Sequence, residues 1–369
     1  MNKTVRLSVV LASILPLASA CGAPETVPEA GAALGTALGT HMGAVGTQTS
    51  TWTEGASLNT PREYHTLTLL TSGLVLAAGG TPRGGGGLRS AELYDPYSNT
   101  WKATGSLNEP RSSARAVRLA SGKVLVVGGA NSVTPAVRTA EVYDPETGTF
   151  SYTGALNTGR SQFTLNLLDS GKVLVTGGMS QLGGFTDTAE LYDPETGTWS
   201  YTAPLRTGGF FQASARLYSG EVLVTGYIGG TPNTEVYNPD TNAWRTVASI
   251  PGARAFQSAV RLYSGQVLVT GGGDGQGNTA ATFLYDPFND IWTRGPDMKR
   301  ARGQDHFLTL LYSGKVLAAN EGTAEVYDPD TNTWTLEPTG PQGSTSPIGA
   351  MLHTGQVLFA NTRTALYTP

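Results

Sequence analysis

Polar and apolar residues alternate along short stretches of the chain, and short, mostly apolar runs follow them. Ala114 to Leu119 alternates, and after the turn at Ser121-Gly122 the run Lys123 to Val127 is rich in β-branched residues. Alternation is typical of a half-buried β-strand, whereas a short β-branched run is typical of a strand buried on both faces. Because glycine accepts the backbone conformations of tight turns, the pattern predicts hairpins of short strands.

This pattern recurs as seven copies of one unit after Thr51. One recurring segment is Ser-Gly-x-Val-Leu or a near variant, which begins at Ser72, Ser121, Ser170, Ser219, Ser264, Ser313 and Thr354. A second is Tyr-Asp-Pro or a near variant, which begins at Tyr94, Tyr143, Tyr192, Tyr237, Tyr285, Tyr327 and Tyr367. A third is a single aromatic residue, found at Trp52, Trp101, Phe150, Trp199, Trp244, Trp292 and Trp334. This column holds all six tryptophans of the chain, so we expect it to pack in the core.

The residue two places before each aromatic predicts the hairpin between the third and fourth strands. It is Asn99, Gly148, Gly197, Asn242, Asp290 or Asn332 in the six complete copies. These residue types accept the left-handed backbone conformation best, as a type I turn with a bulge requires.

Each unit predicts four short strands, with a double glycine such as Gly128-Gly129 after the second strand, a tyrosine in the third and an aromatic residue, usually tryptophan, in the fourth. This unit resembles the kelch repeat, from Trp52 to Tyr367. The resemblance implies an all-β fold, a seven-bladed β-propeller of four-stranded antiparallel blades, similar to the central domain of galactose oxidase. The aromatic strand follows only six of the seven copies, and the remaining aromatic, Trp52, precedes the first copy. We therefore expect the segment near Trp52 to complete the C-terminal blade and close the ring.

The N-terminal region has the pattern of an export signal and a tether. Residues 1–21 combine basic residues, a short apolar stretch and small residues before Cys21, which resembles a bacterial lipoprotein signal. Lipidation of Cys21 and ordinary cleavage after Ala20 are both compatible with it. Residues 22–50 predict a flexible tether, and residues 51–369 the propeller. The expected location is the bacterial cell envelope, lipid-anchored at the outer membrane or cell surface, otherwise periplasmic or secreted.

Composition excludes several classes of partner. A net charge of −4 with 24 Lys and Arg residues argues against nucleic-acid binding. The single cysteine excludes a disulfide framework and a cysteine-rich zinc site. We expect a monomer without metal or cofactor, which contacts a membrane only through a lipid on Cys21.

The resemblance also implies where a ligand binds. Kelch-type proteins bind on the face formed by the loops that join strands two to three and four to one. The residues seven places before each Ser-Gly turn begin the inner strand, and we expect them at the channel mouth: His65, Ala114, Phe163, Gln212, Gln257, His306 and Pro347. Their variety from blade to blade fits either a selective site or an unconstrained solvent position.

Further candidates lie in loops near this face. Arg83 and Arg89 flank a four-glycine run, which fits a binding loop or a floppy one. Phe211 fits sugar stacking or core packing, and Asp274 is a weak candidate for a cation ligand. Arginines also recur ten places before the Ser-Gly turn, as structural hydrogen-bond donors or as ligand contacts, at Arg62, Arg111, Arg160 and Arg254.

The function expected from these features is binding of a glycan, peptide or protein on the loop face. Galactose oxidase needs a cysteine cross-linked to tyrosine at its copper, and Cys21 lies outside the repeats, so copper-radical oxidation is not expected. An alternative is a carbohydrate epimerase or lyase with His306, Asp305 and Arg302 as catalytic candidates. A third is a structural envelope protein.

Overall fold

The structure of the chain is a computed structural model. It describes the residues in the ranges 50–83, 85–206, 210–228, 231–252, 254–273, 276–303, 306–320, 322–342 and 348–369. For residues 210–212, 227–228 and 231 it describes only the backbone. The signal, Cys21 and the tether up to residue 49 lie outside the described residues, as do Asp274, Asp305 and Pro347.

The described chain folds into seven four-stranded antiparallel sheets, which confirms the predicted seven-bladed propeller. The first strands of the blades are β2 (Thr66–Leu69), β6 (Arg115–Arg118), β11 (Thr164–Leu167), β16 (Phe210–Arg216), β20 (Ser258–Arg261), β24 (Phe307–Leu310) and β28 (Gly349–Met351). The second strands are β3 (Val75–Ala78), β7 (Val124–Val127), β12 (Val173–Thr176), β17 (Val222–Ile228), β21 (Val267–Thr270), β25 (Val316–Asn320) and β29 (Val357–Ala360).

The outer half of each blade follows the same order. The third strands are β4 (Ala91–Asp95), β8 (Ala140–Asp144), β14 (Ala189–Asp193), β18 (Thr231–Asn238), β22 (Thr282–Asp286), β26 (Thr323–Asp328) and β30 (Thr364–Thr368). The fourth strands are β5 (Thr100–Ala103), β9 (Thr149–Tyr152), β15 (Thr198–Tyr201), β19 (Ala243–Thr246), β23 (Ile291–Arg294), β27 (Thr333–Leu336) and β1 (Thr51–Gly55). A two-stranded ladder, β10 (Arg160–Ser161) with β13 (Met179–Ser180), extends the loop face of blade 3.

The first strands lie at the centre of the ring. They contact one another from blade to blade, whereas the fourth strands pair only with the third strand of their own blade. Each first strand therefore borders the central channel and begins at the loop face. No helix in the part of the chain that the structure describes is long and apolar enough to cross a membrane.

The N-terminal strand closes the ring as expected. Strand β1 pairs antiparallel with β30, and Trp52 lies opposite Tyr367 in the register. The ring centroids of these two residues are 5.0 Å apart, and the tyrosine–aromatic pairs of the other six blades lie 4.8–5.2 Å apart. The last blade thus has the same aromatic packing as the others, although its outer strand comes from the other end of the propeller sequence.

Apolar packing between neighbouring blades makes up the core. Each of seven apolar clusters joins two adjacent blades, and the second strands supply fully buried residues to all of them. The tryptophans add hydrogen bonds across the same junctions: Trp101 Nε1 donates to the Ala56 carbonyl at 2.9 Å, and Trp199 Nε1 to the Gly154 carbonyl at 2.8 Å. The aromatic column therefore both buries surface and ties one blade to the preceding segment.

The hairpins between third and fourth strands adopt the predicted conformation. Asn99, Asn242, Asp290 and Asn332 have φ between 51° and 53°, and Gly148 and Gly197 have φ of 67° and 66°. The Asn and Asp carboxamide or carboxylate oxygens also accept a hydrogen bond from the blade's tyrosine hydroxyl. The turn residue is thus fixed by backbone conformation and by the aromatic column together.

Buried ion pairs hold the segment that leads into the first strand in blades 1, 2, 3 and 6. Arg160 Nη2 lies 2.8 Å from Glu190 Oε1, with both side chains fully buried, and Arg160 Nη1 donates to the Gly177 carbonyl at 2.9 Å. Glu190 also accepts from the backbone amides of Asn157 and Thr158. Equivalent pairs are Arg62–Glu92, Arg111–Glu141 and Arg302–Glu325. These arginines are structural hydrogen-bond donors, one of the two roles the sequence left open.

Candidate functional site

A cavity of about 490 Å³ opens where the first strands begin. Residues from all seven blades line it, from Tyr64 in blade 1 to Gly349 in blade 7. It is the loop-face end of the central channel, where the resemblance to kelch proteins places a ligand. Arg115 is the only permanently charged side chain among the described residues that line it.

Four residues at one repeat position form the rim of this cavity. Each stands eight places before its Ser-Gly turn and has a positive φ: Tyr64 (54°), Ser113 (51°), Gln162 (54°) and Phe256 (63°). Bulky residues rarely adopt this left-handed conformation, which costs roughly 1–2 kcal/mol each. We call these four residues the rim residues.

The rim residues lie in a short interruption of the pairing between the first and second strands. In blade 1 the regular pairing of β2 with β3 ends at Thr66 opposite Ala78, and an isolated bridge resumes at Glu63 opposite Thr81. Tyr64 and His65 lie between these pairs, opposite the double glycine. The register is the same on both sides of this gap, so the left-handed residue interrupts the ladder without shifting it, and the rim residues line the channel mouth. The Ser113 amide also donates to the Tyr64 carbonyl at 2.8 Å, which links neighbouring rim positions.

The next repeat position, singled out from the sequence, lies deeper. His65, Phe163, Gln257 and His306 border the cavity, but each is at most 7% exposed. A methyl group on Gly128 would lie 2.9 Å from Phe163 Cε1, so the phenyl ring fills the space beside the preceding blade's double glycine. Most of each side chain at this position is therefore packed between blades, which is neither of the two situations that the sequence suggested.

His306 makes specific contacts in this buried position. Its Nδ1 lies 3.0 Å from the Gly303 carbonyl, and its Nε2 lies 2.9 Å from Thr270 Oγ1 of the preceding blade. Because the carbonyl can only accept, Nδ1 carries the proton and the Thr270 hydroxyl donates to Nε2. Burial lowers the pKa of His306 to about 4 and that of His65 to about 3, with the charge of Arg62 contributing at His65. Both rings are neutral at pH 7.

The catalytic candidates occupy different environments. Arg302 is fully buried and bonded to Glu325 and Thr323. In blade 6 it is therefore the arginine of the buried ion pair, and it stands one place earlier in the repeat than the arginines of the other blades. His306 uses both ring nitrogens in hydrogen bonds, Nε2 with Thr270 of the preceding blade and Nδ1 with the nearby Gly303 carbonyl, and Asp305 lies outside the described residues. The described contacts of Arg302 and His306 are thus structural, and no acid–base pair can be built from them.

Two glutamine side chains give the cavity wall unused hydrogen-bonding capacity. Gln257 is 7% exposed, and neither its Oε1 nor its Nε2 has a hydrogen-bond partner among the described residues. The buried Oε1 of Gln162 also has no partner in the described part of the chain. An unpaired buried polar group is unfavourable, so these amides are suited to pairing with a bound molecule.

Two further binding candidates, Arg83 and Arg89, do not line this cavity. Arg83 is exposed and borders a separate surface depression with Pro61, Gln342, Thr362 and Arg363. Arg89 is exposed and lines neither space. For Phe211 and Gln212 the structure describes the backbone in β16, with an irregularity in pairing between Phe210 and Ala213.

The comparisons with known proteins agree with this architecture. Residues 111–156 and 169–206 match the Kelch motif. The protein is a kelch-repeat β-propeller. Its fold resembles a fungal alcohol oxidase of the AA5 family solved in complex with copper, with TM-score 0.70 and 15% identity over 87% of this chain and 76% of the oxidase. It also resembles the structure of YjhT, with TM-score 0.58 and 16% identity over 76% of this chain and 99% of that one. No curated protein matches the chain.

The residues of this kelch propeller do not fit the copper of the fungal enzyme. Among the described residues, no group of three or more His, Cys, Asp or Glu side chains is placed to hold a metal ion. His306 uses both ring nitrogens in hydrogen bonds to Thr270 and Gly303, and the propeller sequence contains no cysteine. The likeness to the oxidase therefore concerns the fold.

The glutamate partners of the arginines and the rim residues were not predicted from the sequence. The glutamate partners of the arginines stand two places before the repeated tyrosine, as Glu92, Glu141, Glu190 and Glu325, and this spacing is visible in the sequence. The rim residues share a position but not a residue type, and the interruption in strand pairing around them has no sequence marker of its own. Only the double glycine opposite them gives an indirect signal.

Proposed function

We propose that this kelch propeller is a binding module whose ligand enters the loop-face mouth of the central channel. The ligand is a glycan, a peptide or a protein segment. A kelch propeller is consistent with an interaction module. The observation that carries the proposal is the set of four rim residues, which keep large or polar side chains in a left-handed backbone conformation.

The energetics of the rim favour a binding role. A glycine at each rim position would avoid the conformational penalty, as Gly148 and Gly197 do in the hairpins on the opposite face. Tyr64 is 38% exposed, so burial of its ring does not account for its presence. Strained residues cluster at ligand-binding sites, where the side chain is needed in that direction.

The chemistry of the cavity indicates what kind of group binds. Tyr64 and Phe256 supply aromatic faces, Gln162 and Gln257 supply amides, and Arg115 supplies a guanidinium. Such a wall suits a ligand that combines a flat apolar surface with hydrogen-bonding groups, as sugars and peptides do. This set supplies binding groups from four blades to one cavity.

Ligand screening with matched variants tests the proposal. Glycan and peptide arrays are probed with the wild type, Tyr64→Gly and Asn242→Gly. Asn242→Gly changes a left-handed residue on the opposite face to the residue that blades 2 and 3 already have there. We expect at least one binder that Tyr64→Gly loses and Asn242→Gly keeps, with similar melting temperatures. The absence of any wild-type binder, or equal binding by Tyr64→Gly, contradicts the proposal.

The location proposed for this module is the bacterial cell envelope. The small residues before Cys21 and the Gly- and Pro-rich segment that follows support export, lipidation and a flexible tether. Metabolic labelling with a palmitate analogue in a bacterial host tests this part. Label on the wild type and its loss in Cys21→Ser are expected, and an unlabelled wild type contradicts the lipid anchor.

A further inference from the structure

The face opposite the channel mouth carries a row of exposed aromatic residues at one repeat position. This position directly precedes each Ser-Gly turn, and its residues in chain order are Thr71, Ala120, Asp169, Tyr218, Tyr263, Tyr312 and His353. Three consecutive blades, 4 to 6, therefore place a tyrosine beside the other end of the channel. Tyr218, Tyr263 and Tyr312 are 62%, 59% and 58% exposed. We call these three residues the tyrosine arc.

The arc is ordered by contacts from blade to blade. Each ring lies beside the turn glycine of the next blade, since a methyl group on Gly265 would lie 3.2 Å from Tyr218 Cδ2 and one on Gly314 would lie 3.4 Å from Tyr263 Cδ2. The Tyr218 hydroxyl donates to the Tyr263 carbonyl at 3.3 Å. These contacts connect the tyrosines of neighbouring blades on this face.

The fold does not need aromatic residues at this position. In blade 1, Thr71 lies beside Gly122 in the same way, and blade 2 has Ala120 there. All seven Ser-Gly or Thr-Gly turns have positive φ at glycine whichever residue precedes them. Tyrosine at three consecutive blades therefore exceeds what the turn requires, and covering this exposed aromatic surface with a partner would lower its free energy.

The charges around the arc restrict the kind of partner. Glu221 pairs with Arg245 at 3.2 Å, Lys315 pairs with Asp328 at 3.0 Å, and the Arg261 guanidinium lies over the Tyr218 ring at 4.0 Å. The charges of Glu221 and Lys315 are thus paired, and Arg261 adds one cation over a ring. Ser264 and Ser313 follow two of the tyrosines in the chain and add hydroxyl groups, whereas the Ser219 hydroxyl donates to Glu221 Oε2 at 3.1 Å.

We propose that the tyrosine arc is a second binding surface, which takes a neutral polysaccharide. Sugar rings have flat apolar faces that stack on tyrosine and hydroxyl groups that bond to the turn serines. A polymer of similar units matches a row of similar side chains repeated from blade to blade. This surface is independent of the channel mouth.

Affinity electrophoresis of the full chain in gels containing dextran, barley β-glucan or xylan tests the proposal. The test variant is Tyr218→Thr/Tyr263→Thr/Tyr312→Thr, which gives blades 4 to 6 the residue of blade 1. The matched control is Tyr152→Thr/Tyr201→Thr, which removes two tyrosines that are 54% and 53% exposed on outer strands. Tyr64→Gly reports on the channel mouth.

We expect the wild type to be retarded by at least one of the three polysaccharides. The triple variant should bind at least about tenfold more weakly at an unchanged melting temperature. The outer-strand control and Tyr64→Gly should bind as the wild type does. The proposal is overturned if no polysaccharide retards the wild type, if the triple variant is retarded equally, or if only Tyr64→Gly loses retardation. Binding of the arc to array peptides but to no polysaccharide also overturns it.

Discussion

Blade 3 and blade 5 hold the same segment of the repeat by different contacts. In blade 3 Arg160 forms a buried ion pair with Glu190, whereas in blade 5 Arg254 lies over the ring of Phe283 at 4.6 Å. Phe283 stands where the other blade has its glutamate, so a cation–π contact takes the place of an ion pair. In these two blades the arginine keeps the same position in the repeat, while the residue that it contacts differs.

The junctions between blades differ in the same way. Phe163 of blade 3 packs with Val127 of blade 2 in one apolar cluster. At the equivalent positions, His306 of blade 6 accepts a hydrogen bond from Thr270 of blade 5. One position is filled by an apolar pair in one junction and by a polar, titratable pair in another. This difference should make stability depend on pH at one junction and not at the other.

The largest effect is expected at the buried ion pair of blade 3. Arg160→Met leaves the Glu190 carboxylate buried without its cation, and we expect it to lower the free energy of unfolding by about 3–5 kcal/mol. Urea unfolding followed by tryptophan fluorescence measures this loss. The second substitution in Arg160→Met/Glu190→Gln removes the isolated charge and should recover much of it. Equal stability of the single and double variants would contradict the proposed cause.

Acidification should expose the difference between the two junctions. Folded His306 stays neutral down to a pKa of about 4, whereas in the unfolded chain it binds a proton near pH 6.5. Stability should therefore fall as the pH drops from about 6.5 to about 4, with a slope near 1.4 kcal/mol per pH unit per histidine. His65, with a pKa of about 3 in the folded protein, should add a further loss of stability of the same sign as the pH falls.

The chain itself offers the variant that tests this pH dependence. His306→Phe/Thr270→Val copies the Phe163 and Val127 pair into the other junction. Denaturant unfolding between about pH 4.5 and pH 7 should show a slope smaller by one proton, and no change in slope above about pH 7. An unaltered slope would show that His306 is not the group responsible.

A smaller effect is expected in blade 5. Arg254→Met removes the cation–π contact with Phe283 but leaves no buried carboxylate behind, so we expect a loss of about 1 kcal/mol. The same urea experiment should therefore rank it well below Arg160→Met. Losses of equal size at both arginines would mean that the partner makes no difference.

Much of the fold follows from repeated residues whose physical role depends on their type. Tryptophan and tyrosine columns predict the core, and Asn or Gly before the aromatic predicts the left-handed hairpin. The position of Trp52 before the first copy predicts the closure, because one sheet would otherwise lack its outer strand. These features depend on residue types at repeated positions or on the number of strands, so a single sequence is enough to predict them.

The site is less predictable because its conformation opposes the preferences of its residues. Tyr64 and Phe256 are poor candidates for a left-handed backbone, yet both adopt it where the strand pairing is interrupted opposite the double glycine. Arg302 is not found by the spacing of ten residues before the Ser-Gly turn, because in blade 6 the arginine stands one place earlier. The burial of His306 depends on a neighbouring blade, which a pattern within one repeat does not contain.

The central claim is that the fold imposes a left-handed backbone on the rim residues, so that their side chains are kept there at a cost in stability. The neighbouring residues Ser112 and Ser113 test it most directly, because only Ser113 is left-handed, with φ of 51°. We measure the free energy of unfolding of the glycine and alanine variants at both positions. At residue 113 glycine should be more stable than alanine by about 1 kcal/mol, and at residue 112 the order should be reversed. Alanine equal to or better than glycine at residue 113 would contradict the account.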